Sequence, residues 1–403
     1  MHIVHFMSRL RLADGGVVRA VIDLAAALAG SGHEVTVLTW DAADAPDSWK
    51  GGVPNVPRVI TLPPPDGLMG FYRRRSPGLS RAEEVIRNAD ALHLHTPWDR
   101  ANMQLAKIAS RHGVRTIISI HGMLDDWSMA QKSLKKRLFL ALGARRMLER
   151  ADAVHCTAQA ELDQARRWFP RGRGVVAPLI FDLSDFVDAA ARRARLRAPD
   201  KHLAIEPANT SLPVVLFLSR LHYKKRPEVL IDAAALLRDR GVNCRVILAG
   251  TGEPAYEQAL HDRVTSLRLD DRVFLVGLVV GPTKVALYAR ADVYALPTSQ
   301  ENFGFVFFEA LAAGTPIVTT RGTDTWRELE QSGGAIIAEP TAQAFADAIA
   351  SLLADRARAR SMGETGRTWV FRTFDAAGIA GQYEAIYQGG APVENAPSAA
   401  AGP

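Results

Sequence analysis

Residues 2–39 read HIVHFMSRLRLADGGVVRAVIDLAAALAGSGHEVTVLT, and this stretch decides the fold. A short apolar run, His2 to Met7, gives way to a segment in which Val17, Val21, Leu24 and Leu28 recur at spacings of four, three and four. That recurrence stripes one face of a helix from Gly16 to Ala29, and Gly30, Ser31 and Gly32 stop it. A β-branched run, Glu34 to Thr39, closes a strand-helix-strand unit, so a parallel α/β domain is predicted. The rhythm continues through strands at Ala91 to His95, Arg115 to Ile120, Ala153 to Thr157 and Val175 to Pro178, with helical stretches near 98–112, 131–149 and 158–168 between them.

From about 183 to 212 the alternation dissolves into a basic, proline-bearing stretch that reads as a linker. It restarts with strands at Val214 to Leu218, Arg245 to Ala249, Arg272 to Val276, Asp292 to Leu296, Pro316 to Thr320 and Ala335 to Ala338. The predicted layout is an N-terminal domain over 1–182, a linker over 183–212 and a second domain over 213–370. A C-terminal helix over 371–388 crosses back to the N-terminal domain, and a disordered tail follows over 389–403. Both domains are expected to be Rossmann-like, doubly wound parallel sheets.

At about 150 residues per domain, 403 residues exclude a single small module. Hydrophobic residues at 48% and charged residues at 23% exclude bulk disorder. A net charge of +6 is compatible with anionic ligands or surfaces but falls short of a nucleic-acid footprint, so no nucleic-acid partner is expected. Cys156 and Cys244 are far apart with no third Cys or nearby His at metal-ligand spacing, which fits a reduced cytoplasm. The N-terminus lacks a basic n-region and cleavage site, and no uninterrupted apolar window reaches membrane-spanning length.

Ligands of doubly wound sheets bind outside the carboxyl ends of the strands, so a cleft where two such sheets face each other is the expected site. Four segments are predicted to line it. Gly15 and Gly16, between the first strand and helix, let backbone approach a phosphate at a helix N-terminus. After Leu218 come Arg220, Lys224, Lys225 and Arg226, then Pro227 at a helix start. Such a cation cluster suits a diphosphate and is expected to be exposed when no ligand is bound. Glu301 precedes a helix and Glu309 lies within it, at most roughly 12 Å apart along a helical path. That span suits a nucleotide sugar, with one carboxylate on a ribose, the other on a hexose, and the N–H groups of Phe303, Gly304 and Phe305 facing the diphosphate between them. Glu309 sits amid Phe305, Phe307, Phe308 and Leu311, where a carboxylate without a partner is costly. Finally, His121 and Gly122 end a strand where the cleft opens, with His93 and His95 as alternates.

Taken together these residues resemble family 4 of the retaining GT-B glycosyltransferases over nearly the whole chain. Glu301 and Glu309 match the family's E-x7-E signature, F-G-F-V-F-F-E-A-L-A-A-G-T-P-I-V continues it, and S-R-L-H-Y-K-K-R is similar to its G-R-L-x-x-x-K-G. The resemblance implies that Arg220 and Lys225 grip the donor diphosphate, Glu309 the ribose, Glu301 the transferred sugar and Gly16 a phosphate. It also implies that His121 contacts the sugar near the reacting centre. No cofactor, metal ion or protein nucleophile is implied, because the leaving diphosphate assists front-face attack. I-H-G-M-L-D-D-W and R-G-T-D-T-W-R-E-L-E look like the subgroup that assembles bacterial exopolysaccharide or lipopolysaccharide units. His121 stands where that subgroup often has Arg. Ser219, Arg226 and Leu179-Ile180 depart from the family's usual Gly, Gly and Asn-Gly.

The expected function is retaining, metal-independent hexosyl transfer from a nucleoside diphosphate sugar to a lipid-linked or saccharide acceptor. The alternatives are a nucleotide-sugar 2-epimerase on the same architecture and a non-catalytic nucleotide-sugar binder. Leu248-Ala249-Gly250-Thr251-Gly252 lacks the third glycine of a dinucleotide site and reads instead as a turn beside the donor base. The segment Gln131 to Arg150 sets Lys132, Lys135, Lys136, Arg137, Arg145, Arg146 and Arg150 beside Leu134, Leu138, Phe139, Leu142 and Met147, with Arg73 to Arg75 upstream. It reads either as a surface docking on the anionic inner membrane or as an ordinary helix whose stripe faces the sheet.

Overall fold

The computed structural model describes residues 1–64, 76–189 and 212–391. The Arg73 to Arg75 cluster, residues 190–211 of the linker expected over 183–212 and residues 392–403 of the tail expected over 389–403 lie outside the described residues. The chain divides into two compact units, one of residues 1–182 joined by the stretch from Phe374 onward, the other Leu183–Thr373.

The first unit is built on seven strands: β1 (His2–Phe6), β2 (Glu34–Thr39), β3 (Arg58–Thr61), β4 (Ala91–His95), β5 (Arg115–Ser119), β6 (Ala153–Cys156) and β7 (Gly174–Val176). Their order is β3-β2-β1-β4-β5-β6-β7, parallel throughout. The central strands are buried along their length because helices cover both faces. On one face Phe6, Leu94, Ile118 and Val154 pack with Leu105 and Ile108 of the helix Arg100–Arg111. The other face carries His5, His93, His95, Ser119 and His155, which the parallel register sets side by side. Tyr383 and Tyr387 of the C-terminal helix Ala376–Tyr387 reach this polar layer.

The second unit has six strands: β8 (Val214–Leu218), β9 (Arg245–Ala249), β10 (Val273–Gly277), β11 (Val293–Leu296), β12 (Ile317–Thr319) and β13 (Ala335–Ile337). They run parallel in the order β10-β9-β8-β11-β12-β13. The second unit extends to Thr373, where the sequence reading ended it at 370, and the helix beginning at Ala376 belongs to the first unit.

Several elements differ from expectation. The predicted linker does not begin at 183: Ser184–Val187 is a short helix with Phe186 buried, and Arg367 donates to the carbonyls of Phe186 at 2.9 Å and Val187 at 2.7 Å. β3 and the helix Pro77–Ile86 were not anticipated, since neither has a long apolar period. The basic stretch expected as one helix over 131–149 is a helix Ser133–Phe139, a wide turn Leu140–Ala144 and a helix Arg145–Arg150. Gly143 breaks it by adopting φ 139°, which L side chains rarely take.

Candidate functional site

In each sheet the strand order reverses beside the first strand, and such switch points leave a crevice between the loops that leave two adjacent strands. In the second unit these strands are β8 and β11, so the loop carrying Arg220 to Arg226 lies beside the loop carrying Gln300 to Gly304. Backbone bonds lock the two loops together. Ser299 N–H donates to the Lys224 carbonyl at 2.7 Å, and the Thr298 hydroxyl caps the same carbonyl at 3.2 Å.

This juxtaposition corrects one expectation. Arg220 is exposed, but Lys225 is only 5% exposed. Its ammonium forms an ion pair with the Glu301 carboxylate and donates to the Gln300 carbonyl at 3.2 Å. The residues assigned by resemblance to the diphosphate and to the sugar therefore touch each other directly. Glu301 is also fixed by its backbone, with its N–H on the Gly322 carbonyl at 2.8 Å and its carbonyl receiving Asp324 N–H at 3.0 Å. The loop remains electropositive. Burial, and then Arg220, Lys224 and Lys225, hold the imidazole of His222 below its ordinary range.

Glu309 lies in the helix Phe305–Ala312, which opens after Gly304 at φ 71°. The partner that a carboxylate in these surroundings needs is supplied by the protein itself. Lys284 Nζ lies 2.6 Å from Oε1, and the Tyr288 hydroxyl donates to Oε2 at 3.1 Å. Lys284 and Tyr288 were missed, although their spacing of four on a helical segment puts them on one face. A carboxylate has about four acceptor sites, so Glu309 retains capacity for two vicinal hydroxyls. Phe303 is buried, and Phe305 begins the helix.

The glycines after β9 have a structural explanation. A Cβ at Gly250 would collide with the Ser219 carbonyl, and one at Gly252 with the Leu221 carbonyl. They admit close packing of the β9 loop against the cation loop, which Leu221 N–H secures on the Thr251 carbonyl at 2.9 Å.

In the first unit Gly15 precedes the helix Gly16–Gly30 with φ 110°, and none of the described residues lies within 4 Å of the place of its absent side chain. His121 follows β5 with φ 50° and is 8% exposed, while the alternates His93 and His95 are fully enclosed. Burial holds His121 and His5 down at about 3 and His155 at about 4, so all three rings are neutral near pH 7. Among the described residues one set of ligand-type side chains is close enough to share a metal ion. It comprises His5, His93 and His95, whose ligand atoms lie within 4.8 Å of one another. His93 spends both ring nitrogens on Tyr387 and Ser119, and its ring stacks on His95 at 4.3 Å, an arrangement that does not aim lone pairs at one point.

The chain is similar to known proteins over most of its length. Residues 15–179 match the glycosyl transferase 4-like domain, and residues 200–369 match the glycosyl transferases group 1 family. A GDP-mannose-dependent alpha-(1-6)-phosphatidylinositol dimannoside mannosyltransferase of Mycobacterium tuberculosis is 29% identical over 367 residues, covering 89% of each chain. A D-inositol 3-phosphate glycosyltransferase of Corynebacterium glutamicum is 29% identical over 82% of this chain and 77% of its own. Among solved structures, Anabaena HepE in complex with UDP superposes with a TM-score of 0.76 at 21% identity, covering 96% of this chain and 100% of its own. Two consecutive glycosyltransferase domains on two parallel sheets, each with its switch-point loops, place this chain among the GT-B glycosyltransferases.

Proposed function

We propose that the protein is a retaining, metal-independent hexosyltransferase that takes its sugar from a nucleoside diphosphate sugar. The observation that carries this reading is the switch-point cluster of the second unit, where exposed Arg220 and the Lys225–Glu301 pair share one pair of loops. On this reading the diphosphate is held by Arg220, Lys225 and the N–H groups at Phe303, Gly304 and Phe305. Glu301 takes the transferred sugar, Glu309 the ribose, Gly15 and Gly16 a phosphate, and His121 the sugar near the reacting centre. Chemistry is then electrostatic stabilisation of the departing diphosphate, with positioning of the acceptor. Two family matches to glycosyltransferases favour transfer over the 2-epimerase alternative.

The acceptor we propose is lipid-linked or saccharide, in the assembly of a bacterial surface glycan. The mycobacterial relative acts on a phosphatidylinositol dimannoside and uses GDP-mannose, which makes GDP-mannose the first donor to test. No helix among the described residues is long and apolar enough to cross a membrane. Docking on an anionic membrane surface is supported by the segment 132–146. Leu134, Leu138 and Leu142 are 82%, 57% and 72% exposed in a row at spacings of four, flanked by exposed Lys132, Lys135, Arg137, Arg145 and Arg146. Leu140, Ala144, Met147 and Leu148 face the core instead, so one segment carries two apolar stripes rather than one that must choose. Lys136 is withdrawn from the outer face, with its ammonium on the Ser128 carbonyl at 2.6 Å and over the Trp98 ring.

The test is incubation with GDP-mannose, UDP-glucose and other nucleoside diphosphate sugars, with and without polyprenyl- or inositol-lipid acceptors and with and without EDTA. The expected result is acceptor-dependent release of nucleoside diphosphate that persists in EDTA and retains the anomeric configuration. Epimerised donor without acceptor, or transfer lost in EDTA and restored by manganese, would overturn the reading.

A further inference from the structure

The polar layer of the first sheet contains two hydrogen-bonded chains whose directions follow from their ends. One runs from Tyr387 to His93 Nδ1 at 2.8 Å, from His93 Nε2 to Ser119 at 2.7 Å, from Ser119 to His155 Nδ1 at 2.7 Å and from His155 Nε2 to the Ala177 carbonyl at 2.8 Å. A carbonyl only accepts, so His155 donates from Nε2, Ser119 donates to His155, His93 donates to Ser119 and Tyr387 donates to His93. This chain is complete with every ring neutral: the Nε2–H of His155 is shared between the Ala177 carbonyl and the Tyr383 hydroxyl at 3.1 Å, and Tyr383 donates in turn to the Pro178 carbonyl at 3.3 Å.

The second chain is different. His5 Nδ1 and His95 Nε2 lie 3.0 Å apart, and His95 Nδ1 and His121 Nε2 lie 3.2 Å apart. Its inner end is His5 Nε2, buried with no hydrogen-bond partner among the described residues. Its outer end is His121 Nδ1, which has no partner among the described residues. Two polarities satisfy the internal bonds. One leaves a stranded N–H at His5 Nε2 in the core; the other leaves only a bare ring nitrogen there. Stranded buried N–H groups are rare, which selects the second polarity. In it His5 donates from Nδ1 to His95, His95 donates from Nδ1 to His121, and the remaining proton of His121 sits on Nδ1.

The backbone beneath His121 is held as firmly. His121 and Gly122 are both left-handed, at φ 50° and 71°. The Gly122 N–H donates to the carboxylate of Glu161, which is fully buried and also accepts from Thr157 N–H at 2.6 Å and the Thr157 hydroxyl at 2.8 Å. A left-handed conformation at a non-glycine residue persists only where the surroundings impose it, and here they do so from both the backbone and the ring.

We propose that His95 is a positioning residue that sets the tautomer of His121, making the open edge of His121 a neutral hydrogen-bond donor to a hydroxyl oxygen of the bound sugar. This rests on the reading that His121 contacts the sugar. It adds to that reading a direction: His121 gives a proton to the ligand's oxygen and does not accept one.

Tautomer-sensitive 15N spectra of the histidine side chains at pH 7.5, with His121 assigned through His121→Ala, test this on the wild-type protein. The expected result is His121 protonated on Nδ1. His95→Asn, which keeps an N–H near the same place, retains that tautomer, whereas His95→Leu loses it and lowers kcat/KM for the donor about tenfold, the effect of one hydrogen bond. Added to His121→Ala, His95→Leu produces no further loss. Protonation of His121 on Nε2 in the wild type, an unchanged tautomer in His95→Leu, or additive losses overturn the proposal. If His121→Ala alone transfers sugar at the full rate, the sugar-contact reading falls, while the spectra still decide whether His95 governs the tautomer.

Discussion

Arg220 and Lys225, one turn of loop apart, do different physical work. Arg220 is exposed, so Arg220→Ala is expected to leave stability unchanged while weakening donor binding by about 1.5 to 3 kcal/mol, the range for a hydrogen bond to a charged group. Lys225 is buried against Glu301, so Lys225→Ala strands a carboxylate and is expected to lower unfolding stability by about 3 kcal/mol as well as abolishing donor use. Replacing both partners, as Lys225→Met with Glu301→Gln, removes the stranded charge. Its expected outcome is stability within about 1 kcal/mol of the wild type with transfer still absent, checked by urea denaturation and a transfer assay. A double variant no more stable than Lys225→Ala would show that the stranded carboxylate is not what destabilises the single variant.

Among elements, the β9 loop and the segment 132–146 carry consequences that single residues do not. Because the absent side chains of Gly250 and Gly252 make room for the carbonyls of Ser219 and Leu221, Gly252→Ala is expected to push the cation loop outward. The predicted signature is a loss of about 3 kcal/mol in stability together with a raised donor KM, as for other changes that force backbone apart. A variant with wild-type KM would separate this packing from the donor site. In the segment 132–146, exposed leucines and cations predict co-flotation with phosphatidylglycerol vesicles, each cation adding about 1 kcal/mol near such a surface. Lys135→Glu with Arg137→Glu is expected to abolish flotation at low salt, and Leu134→Gln with Leu138→Gln to weaken it at any salt. Flotation unchanged in both variants would remove the surface from the account.

At the scale of the whole molecule, the polar layer of the first unit makes its stability depend on pH. His5, His121 and His155 have folded values of about 3, 3 and 4 because burial disfavours the imidazolium, and burial and neighbouring rings lower His93 and His95 as well. The unfolded chain binds protons at these rings near pH 6.5 and the folded chain does not, so stability is full above about pH 6.5 and is lost progressively as pH falls towards about 3. At pH 5 each of the three amounts to about 2 kcal/mol at most. The urea midpoint of the first unit should therefore drop between pH 7.5 and pH 5, a window where ordinary carboxylates stay ionised. A midpoint flat across that window would mean the rings are not neutral and enclosed. The C-terminal helix belongs to the same layer through Tyr383 and Tyr387, so removing residues from Ala376 onward should destabilise the first unit, although they lie nearly 300 residues from His93.

Local pattern sufficed for the strands and helices that are strongly periodic, because burial on a sheet or helix face is a short-range property of the chain: β1, β4, β8, β9 and the helix Gly16–Gly30 are all legible that way. The same holds for the glutamate pair and the cation loop, whose spacing along the chain is itself the signal. Tertiary structure alone decided their partners. Lys225 meets Glu301 because β8 and β11 are neighbours in the sheet and bring together loops that are distant in sequence, and Glu309 meets Lys284 and Tyr288 because the helices Gly281–Arg290 and Phe305–Ala312, which flank β11 in the chain, come together in the fold. The histidine layer has the same origin. Each of its rings reads locally as one more strand residue, and only the parallel register of β1, β4, β5 and β6 aligns them into chains with defined ends. Which side of the segment 132–146 faces outward was likewise undetermined by its composition, since apolar residues point both ways until the sheet beneath covers one set and leaves the other in water.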